Sequence, residues 1–266
     1  MKLRSLTPVF LTIALVAAPM IAIAQDAPKP LTWVGTIDVK PGGGPGFEKV
    51  FETYQKPILD QLVEDGKATS WGLGYELAGP GGFDYVVWVT IANWAAMGDV
   101  EAAFDARYEG LSEEDLTAMM EDFVGVVEPG DEQGQLLRHH VFKANPEGKS
   151  NYLYLSAFSV KPGHGSDVMK MYKSFMMPIY DGLLEDGTIT GYGMVQQEVH
   201  TDPSFTHEAW FTFENLSDLD AREKAFEDAY TEESEGDEVA RDLAFMKMVK
   251  WETHFDRLIR VLMQSD

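Results

Sequence analysis

The chain of 266 residues contains no cysteine. Thiol catalysis, iron–sulfur clusters and cysteine-ligated zinc are therefore excluded, and no disulfide can brace the fold. Positive charge is scarce, with 21 Lys and Arg against 44 Asp and Glu, for a formal net charge of −23. Such a surface repels phosphate backbones and anionic headgroups, which argues against nucleic acid or a membrane as partner. Beyond the N-terminus no apolar run approaches the roughly 20 residues of a spanning helix. Motifs are lacking too. The glycine-rich "KPGGGPGFEK" fits neither G-x-x-x-x-G-K nor G-x-G-x-x-G, and neither a nucleophile elbow nor H-E-x-x-H occurs.

What is present begins with "MKLRSLTPVFLTIALVAAPMIAIAQ". Lys2 and Arg4 precede an apolar stretch from Val9 to Ile23 that contains Pro19, and Ala22-Ile23-Ala24 supplies small-x-small residues. This pattern predicts a cleaved export signal over 1–24, a mature N-terminus at Gln25 and a periplasmic or secreted protein, since the apolar part is short for a retained anchor. Loss of Lys2 and Arg4 takes the formal charge from −23 to −25.

The chain then repeats itself. Residues 39–72 laid on 160–193 without a gap give 15 identities in 34 positions, among them Val39-Lys40-Pro41-Gly42 on Val160-Lys161-Pro162-Gly163. After a one-residue slip, Trp88, Thr90, Asn93 and Phe104 fall on Trp210, Thr212, Asn215 and Phe226. Each copy reads in the same order. A β-branched, aromatic run stops at Lys-Pro-Gly, as a strand entering a turn should. An apolar stripe at helical spacing follows, Phe47 to Leu62 and Val168 to Leu183, closed by Gly66 and Gly187 as C-terminal caps. Pro57 and Pro178 sit inside these stripes and predict a shared bend. Two strands, a helical region opening at Asn93 or Asn215, and a closing strand complete βαββαβ, written twice. The predicted class is α+β: a first ferredoxin-like repeat over 25–144, a linker over 145–150 and a second repeat over 151–266. One repeat covers a single face of its sheet with helices, so the other face calls for the second copy.

Strand, Lys-Pro-Gly turn, helix with a late proline and then "EDGKATSWG" or "EDGTITGYG" resemble the dimeric α+β-barrel superfamily, which includes antibiotic-biosynthesis-type monooxygenases and NIPSNAP-like proteins. The resemblance covers nearly all of residues 31–263 and implies that a barrel normally made by two chains is made here by one. It also implies small-molecule binding or cofactor-independent oxygenation in an apolar pocket. Tandem chains of this kind are similar to chlorite-dismutase-like proteins as well, which implies haem held by one histidine, with His254 in "VKWETHFDR" as the candidate.

For a ligand pocket the candidates are Tyr54, Trp71, Tyr75, Trp88, His140, Tyr192 and Trp210, aromatic and imidazole groups whose spacing suits a core equally well. His139 and His140 are adjacent in a strand, so only one of them can face inward. With sheet order 4-1-3-2, His164, His200, His207 and His254 fall at one end of the second repeat, beside Asp202. They are either solvated loop histidines or a site for a divalent transition metal such as Zn²⁺, Cu²⁺ or Fe²⁺. The acidic pairs Asp60/Glu64 and Asp181/Glu185, one helical turn apart, read as solvated helix ends or a weak cation site. The expectation is an exported binding or scaffold protein for a small apolar molecule, monomeric or homodimeric and without a required cofactor. The alternative is a cofactor-independent or haem-dependent monooxygenase-like enzyme.

Overall fold

The computed structural model describes residues 29–129, 133–145, 148–199, 204–232 and 235–265. The expected export signal, His200 and Asp202 lie outside them. In the first half β1 (Leu31–Ile37) leads to α1 (Gly44–Val50) and α2 (Lys56–Glu64), then β2 (Ser70–Ala78), β3 (Tyr85–Ile91), α3 (Trp94–Glu109), α4 (Glu113–Val126) and β4 (Gln133–Ala144). The second half repeats the order: β5 (Tyr152–Val160), α5 (Gly165–Met171), α6 (Met177–Glu185), β6 (Gly191–Val199), β7 (His207–Phe213), α7 (Asp218–Glu232), α8 (Glu235–Met248) and β8 (Val249–Gln264).

Each half builds a sheet of order 4-1-3-2, as expected, and the two sheets then join. β2 pairs with β8 and β6 with β4, all antiparallel, so the strands form one closed barrel. Closure removes the two open edges that each half alone would present. Because strand directions alternate around the ring, equivalent ends of the two halves lie at the same end of the barrel.

Local chemistry explains the shared frame. Gly66 and Gly187 have φ of 68° and 81°. At the end of α2 the N–H of Lys67 donates to Leu62 O at 2.9 Å and that of Gly66 to Val63 O at 3.0 Å, the Schellman pattern that needs a left-handed residue. The bend expected at the prolines takes a specific form. A π-helical segment, Phe51–Gln55 in one copy and Tyr172–Met176 in the other, joins the two helices, and the N–H of Lys56 reaches back to Phe51 O as that of Met177 does to Tyr172 O. Pro57 and Pro178 thereby fall at the start of a new α segment, where a missing N–H costs little. Asn93 caps α3 as expected, its Oδ1 accepting from Ala95 and Ala96 N–H. In the second copy the helix starts later: Asp218 accepts from the N–H of Asn215 and α7 begins at Asp218 itself.

Apolar burial occurs in three places. Phe47, Phe51, Leu59, Leu62 and Trp71 pack between the first sheet and its helices. Tyr172, Tyr180, Tyr192, Phe211 and Phe213 do so in the second half. Each fully buried side chain of this size contributes about 1.5–3 kcal/mol. A smaller cluster of Leu137, Ala157, Val195 and Phe205 lies within the barrel. No helix of the described residues is long and apolar enough to cross a membrane.

Candidate functional site: the barrel interior

Alternation along the strands turns Thr32, Val34 and Thr36 of β1 inward, with Val86, Trp88 and Thr90 of β3, Gln135, Leu137 and His139 of β4, Glu208, Trp210 and Thr212 of β7, and Arg257, Ile259 and Val261 of β8. The helix-facing sides of both sheets pack into continuous apolar clusters, whereas these inward side chains meet only in part. They surround a cavity of about 770 Å³.

Two tryptophans shape its walls. Trp88 pairs across the ladder with Gly72, and Trp210 with Gly193. A Cβ on Gly72 would come within 2.1 Å of the Trp88 ring, and one on Gly193 within 2.6 Å of Trp210. The bare glycine backbone lets each indole lie flat on the neighbouring strand, so the rings line the cavity instead of filling it.

At the end where β1 begins, hydroxyls dominate. Thr90 and Thr32 share a hydrogen bond of 2.9 Å, and Thr32 Oγ1 lies 2.7 Å from His139 Nε2. Phe142 and Trp210 contact the buried His139 ring edge-on. Burial drives its pKa down to about 4, against a weaker opposing pull from the Val141 backbone, so the ring is neutral near pH 7. The corresponding place in the second half holds the chain Ser150, Thr190, Thr212, linked at 2.7 and 2.8 Å.

The other end is ionic. Arg257 Nη1 donates to Glu76 Oε2 at 2.8 Å and to Gly81 O at 3.2 Å, with its guanidinium 4.3 Å from the Phe83 ring centre. Glu76 Oε1 is buried without a partner among the described residues. Glu208 lies on the wall between Ala157 and Val195 of the neighbouring strands. Its remaining accessible surface borders the cavity, and its carboxyl group has no hydrogen bond to the described residues. Burial pushes its pKa up to about 7, although Arg257 pulls the other way. A carboxyl group poised near neutrality can hold or release a proton at physiological pH.

Of the residues expected to line a pocket, Trp88 and Trp210 do so with their rings. Trp71 borders the cavity, but its ring lies 5.9 Å from Phe51 and its Nε1 donates to Asp60 at 3.0 Å, both on the helix side. Tyr192 is its counterpart and donates to Asp181. Asp60 and Asp181 also pair with Lys56 and Lys143, so these acids brace helix to sheet rather than bind a free cation. Tyr54 donates to Asp122 on the outer surface, and Tyr75 is exposed against Tyr85. His140 faces outward, bonded to Gln196 and Lys29; its neighbour His139 is the inward one.

The histidines expected to converge keep separate company. His164 is exposed beside Asp167, and His207 is buried with its ring stacked on Phe158 and on His140. His254 Nε2 lies 3.1 Å from Ser156 Oγ and 3.3 Å from Asp256, on the outer face of β8. Among the described residues no group of three or more His, Asp or Glu could hold a metal ion. His254 is not placed to present an imidazole to the cavity, and His139 Nε2 is taken by Thr32. These residues do not form a haem site. Glu208, Arg257 and Glu76 escape a reading of the sequence. The one signal is spacing: Glu208 stands two residues from Trp210 and so shares its face.

No family model and no curated protein matches the chain. Solved structures do. A "putative monooxygenase" from Fusobacterium nucleatum subsp. nucleatum ATCC 25586 aligns over 90% of this chain and 94% of its own, at 10% identity and a TM-score of 0.58. A "putative monooxygenase" from Lactobacillus acidophilus NCFM covers 89% and 96%, at 12% identity and 0.58. This is the dimeric α+β-barrel fold, closed within one chain. A haem-binding protein from Thermus thermophilus aligns over 88% and 92%, at 10% identity and a TM-score of 0.46. At such identities the likeness of this tandem barrel to its neighbours concerns fold, and function rests on its own residues.

Proposed function

We propose that the chain is an exported small-molecule-binding protein that holds a flat, largely apolar molecule inside the barrel, between Trp88 and Trp210. The observation that carries this reading is the cavity itself, about 770 Å³ in a protein whose other layers are tightly packed. That volume lies within the range of ligand sites, which combine apolar walls with a few convergent polar groups. The two Trp–Gly pairs support it further, since both halves spend a strand position on keeping an indole flat. Export is read from the first 24 residues, and the mature protein isolated from its host is expected to begin at or near Gln25. The test of binding is quenching of tryptophan emission by 1-naphthylmethanol in the mature chain. Saturable quenching that weakens at least about tenfold in Trp88→Ala or Trp210→Ala supports the reading. Absence of saturation in the parent, with this probe and with its amine analogue 1-naphthylmethylamine, overturns it.

A second reading, cofactor-free oxygenation, draws on Glu208 as a base near neutral pH that could take a proton from an electron-rich substrate. Oxygen uptake with a panel of quinols, lost in Glu208→Gln, is the expected sign. A visible absorption spectrum of the purified protein reads haem directly.

A further inference from the structure

We propose that the ligand of the barrel interior is an organic amine, a single protonated nitrogen on a flat apolar body, with Glu208 as its counter-ion. This rests on the interior being a binding site and names the chemistry it selects. Three ionisable groups lie at the ionic end: Arg257 on β8 pairs with Glu76 on β2 and acts electrostatically on Glu208 on β7. The strands flanking Glu208 add no charge, since they present Ala157 and Val195 beside it. Arg257 is already paired with a carboxylate, its Nη1 shared between Glu76 and the Gly81 carbonyl. One cation therefore stands among two carboxylates, and the carboxylate without a partner is the one that borders the cavity.

Each class of ligand leaves a different balance. An anion would bring a second negative charge toward Glu208 in a low-dielectric space. A neutral apolar molecule would displace water and leave both Glu208 oxygens without a donor, at about 1–3 kcal/mol. A protonated amine supplies the missing charge and N–H donors together. The walls suit the same group: Trp210 lies two residues along the strand from Glu208, and Phe205, Phe255 and Trp88 also border the cavity. Aromatic faces attract a desolvated cation at close range. The flat indoles accept the apolar body. Outside, a chain with a formal charge of −23 draws cations toward it. In the empty cavity burial keeps the Glu208 proton on up to about pH 7, so the site need not hold an isolated charge while it waits.

The test compares two probes of nearly equal shape, 1-naphthylmethylamine and 1-naphthylmethanol, by calorimetry on the mature chain at pH 8. The amine is expected to bind at least about tenfold tighter than the alcohol, and Glu208→Gln to abolish that preference. A measurement on the parent alone covers the case in which the variant does not fold. Amine affinity should fall as pH is lowered from 8 to 6, while the alcohol's should not fall. Equal affinity of the two probes, or an amine preference retained in Glu208→Gln, overturns the amine proposal while the binding site stands. Failure of both probes to bind overturns the binding site with it.

Discussion

The two halves of the barrel agree wherever the backbone is constrained and diverge at several positions that line the interior. Both carry the π-helical segment before a proline, the left-handed glycine after the second helix and an indole laid flat on a glycine. Four inward positions differ. The pairing registers set Val86 against Glu208, Gln135 against Arg257, Thr32 against Leu153 and His139 against Val261. The first half thus contributes a neutral imidazole to the hydroxyl-rich end, and the second half contributes the ionisable pair at the other. Duplication preserved what closes the barrel, while divergence remade what its interior can bind. A two-chain barrel with identical halves would carry each feature twice; one fused chain can carry each once.

The largest effect comes from separating the halves. Residues 25–144 alone would expose the inward face of their sheet, including Leu137, Val34 and Trp88, and leave β2 and β4 as open edges. Such a fragment is expected to aggregate or to pair with itself, as sedimentation would show. A folded, soluble monomer would mean that the closed barrel is not the unit of stability.

A smaller effect separates the two polar ends by pH. Glu208 has a folded pKa near 7, above that of an unfolded glutamate, so its contribution is complete below about pH 4.3 and is lost as pH rises through 7. His139 and His207 are depressed to about 4, so their contribution is present above about pH 6.5 and lost as pH falls toward 4. Stability should therefore peak between about pH 5 and 7. Urea denaturation of Glu208→Gln against the parent should show the variant gaining up to about 3 kcal/mol between pH 5 and 9, less whatever cavity water restores. A parallel pair of curves would mean that Glu208 is solvated like a surface residue.

The same contrast explains how much the sequence discloses. The duplication, the strand order, the glycine caps and the Asn93 cap are legible because each is dictated by a local rule: a period, a positive φ or a side-chain acceptor. The site is less so. His139 and His140 differ by one position, and only the pairing register decides which faces inward. Trp71 and Tyr192 resemble Trp88 and Trp210 in composition but stand at the opposite parity of their ladders. Glu208 is the clearest case. In an isolated ferredoxin-like sheet the face away from the helices is open to water, and a glutamate there is unremarkable. Closing the first sheet over it turns that residue into a half-buried acid on a cavity wall, a consequence of tertiary pairing that no local pattern encodes.

The finest comparison uses the two glycines as matched rulers. Gly66 and Gly187 occupy the same place in their halves, with φ of 68° and 81°, and a Cβ added at either meets nothing within 4 Å. Alanine at either site therefore costs only the left-handed backbone of an L-residue, about 1 kcal/mol, with no packing change to confuse the result. If the barrel unfolds as one body, Gly66→Ala and Gly187→Ala should lower the midpoint of a single transition by nearly equal amounts. The double variant should show their sum, because distant sites that share one cooperative unit add. If instead the halves are separately stable, each substitution will move its own transition and leave the other in place. Fluorescence separates these outcomes, since Trp71 and Trp88 report the first half and Trp210 and Trp251 the second. Two independently movable transitions would show that pairing of β2 with β8 and β4 with β6 adds little to stability, and that the shared interior is held by two domains rather than by one barrel.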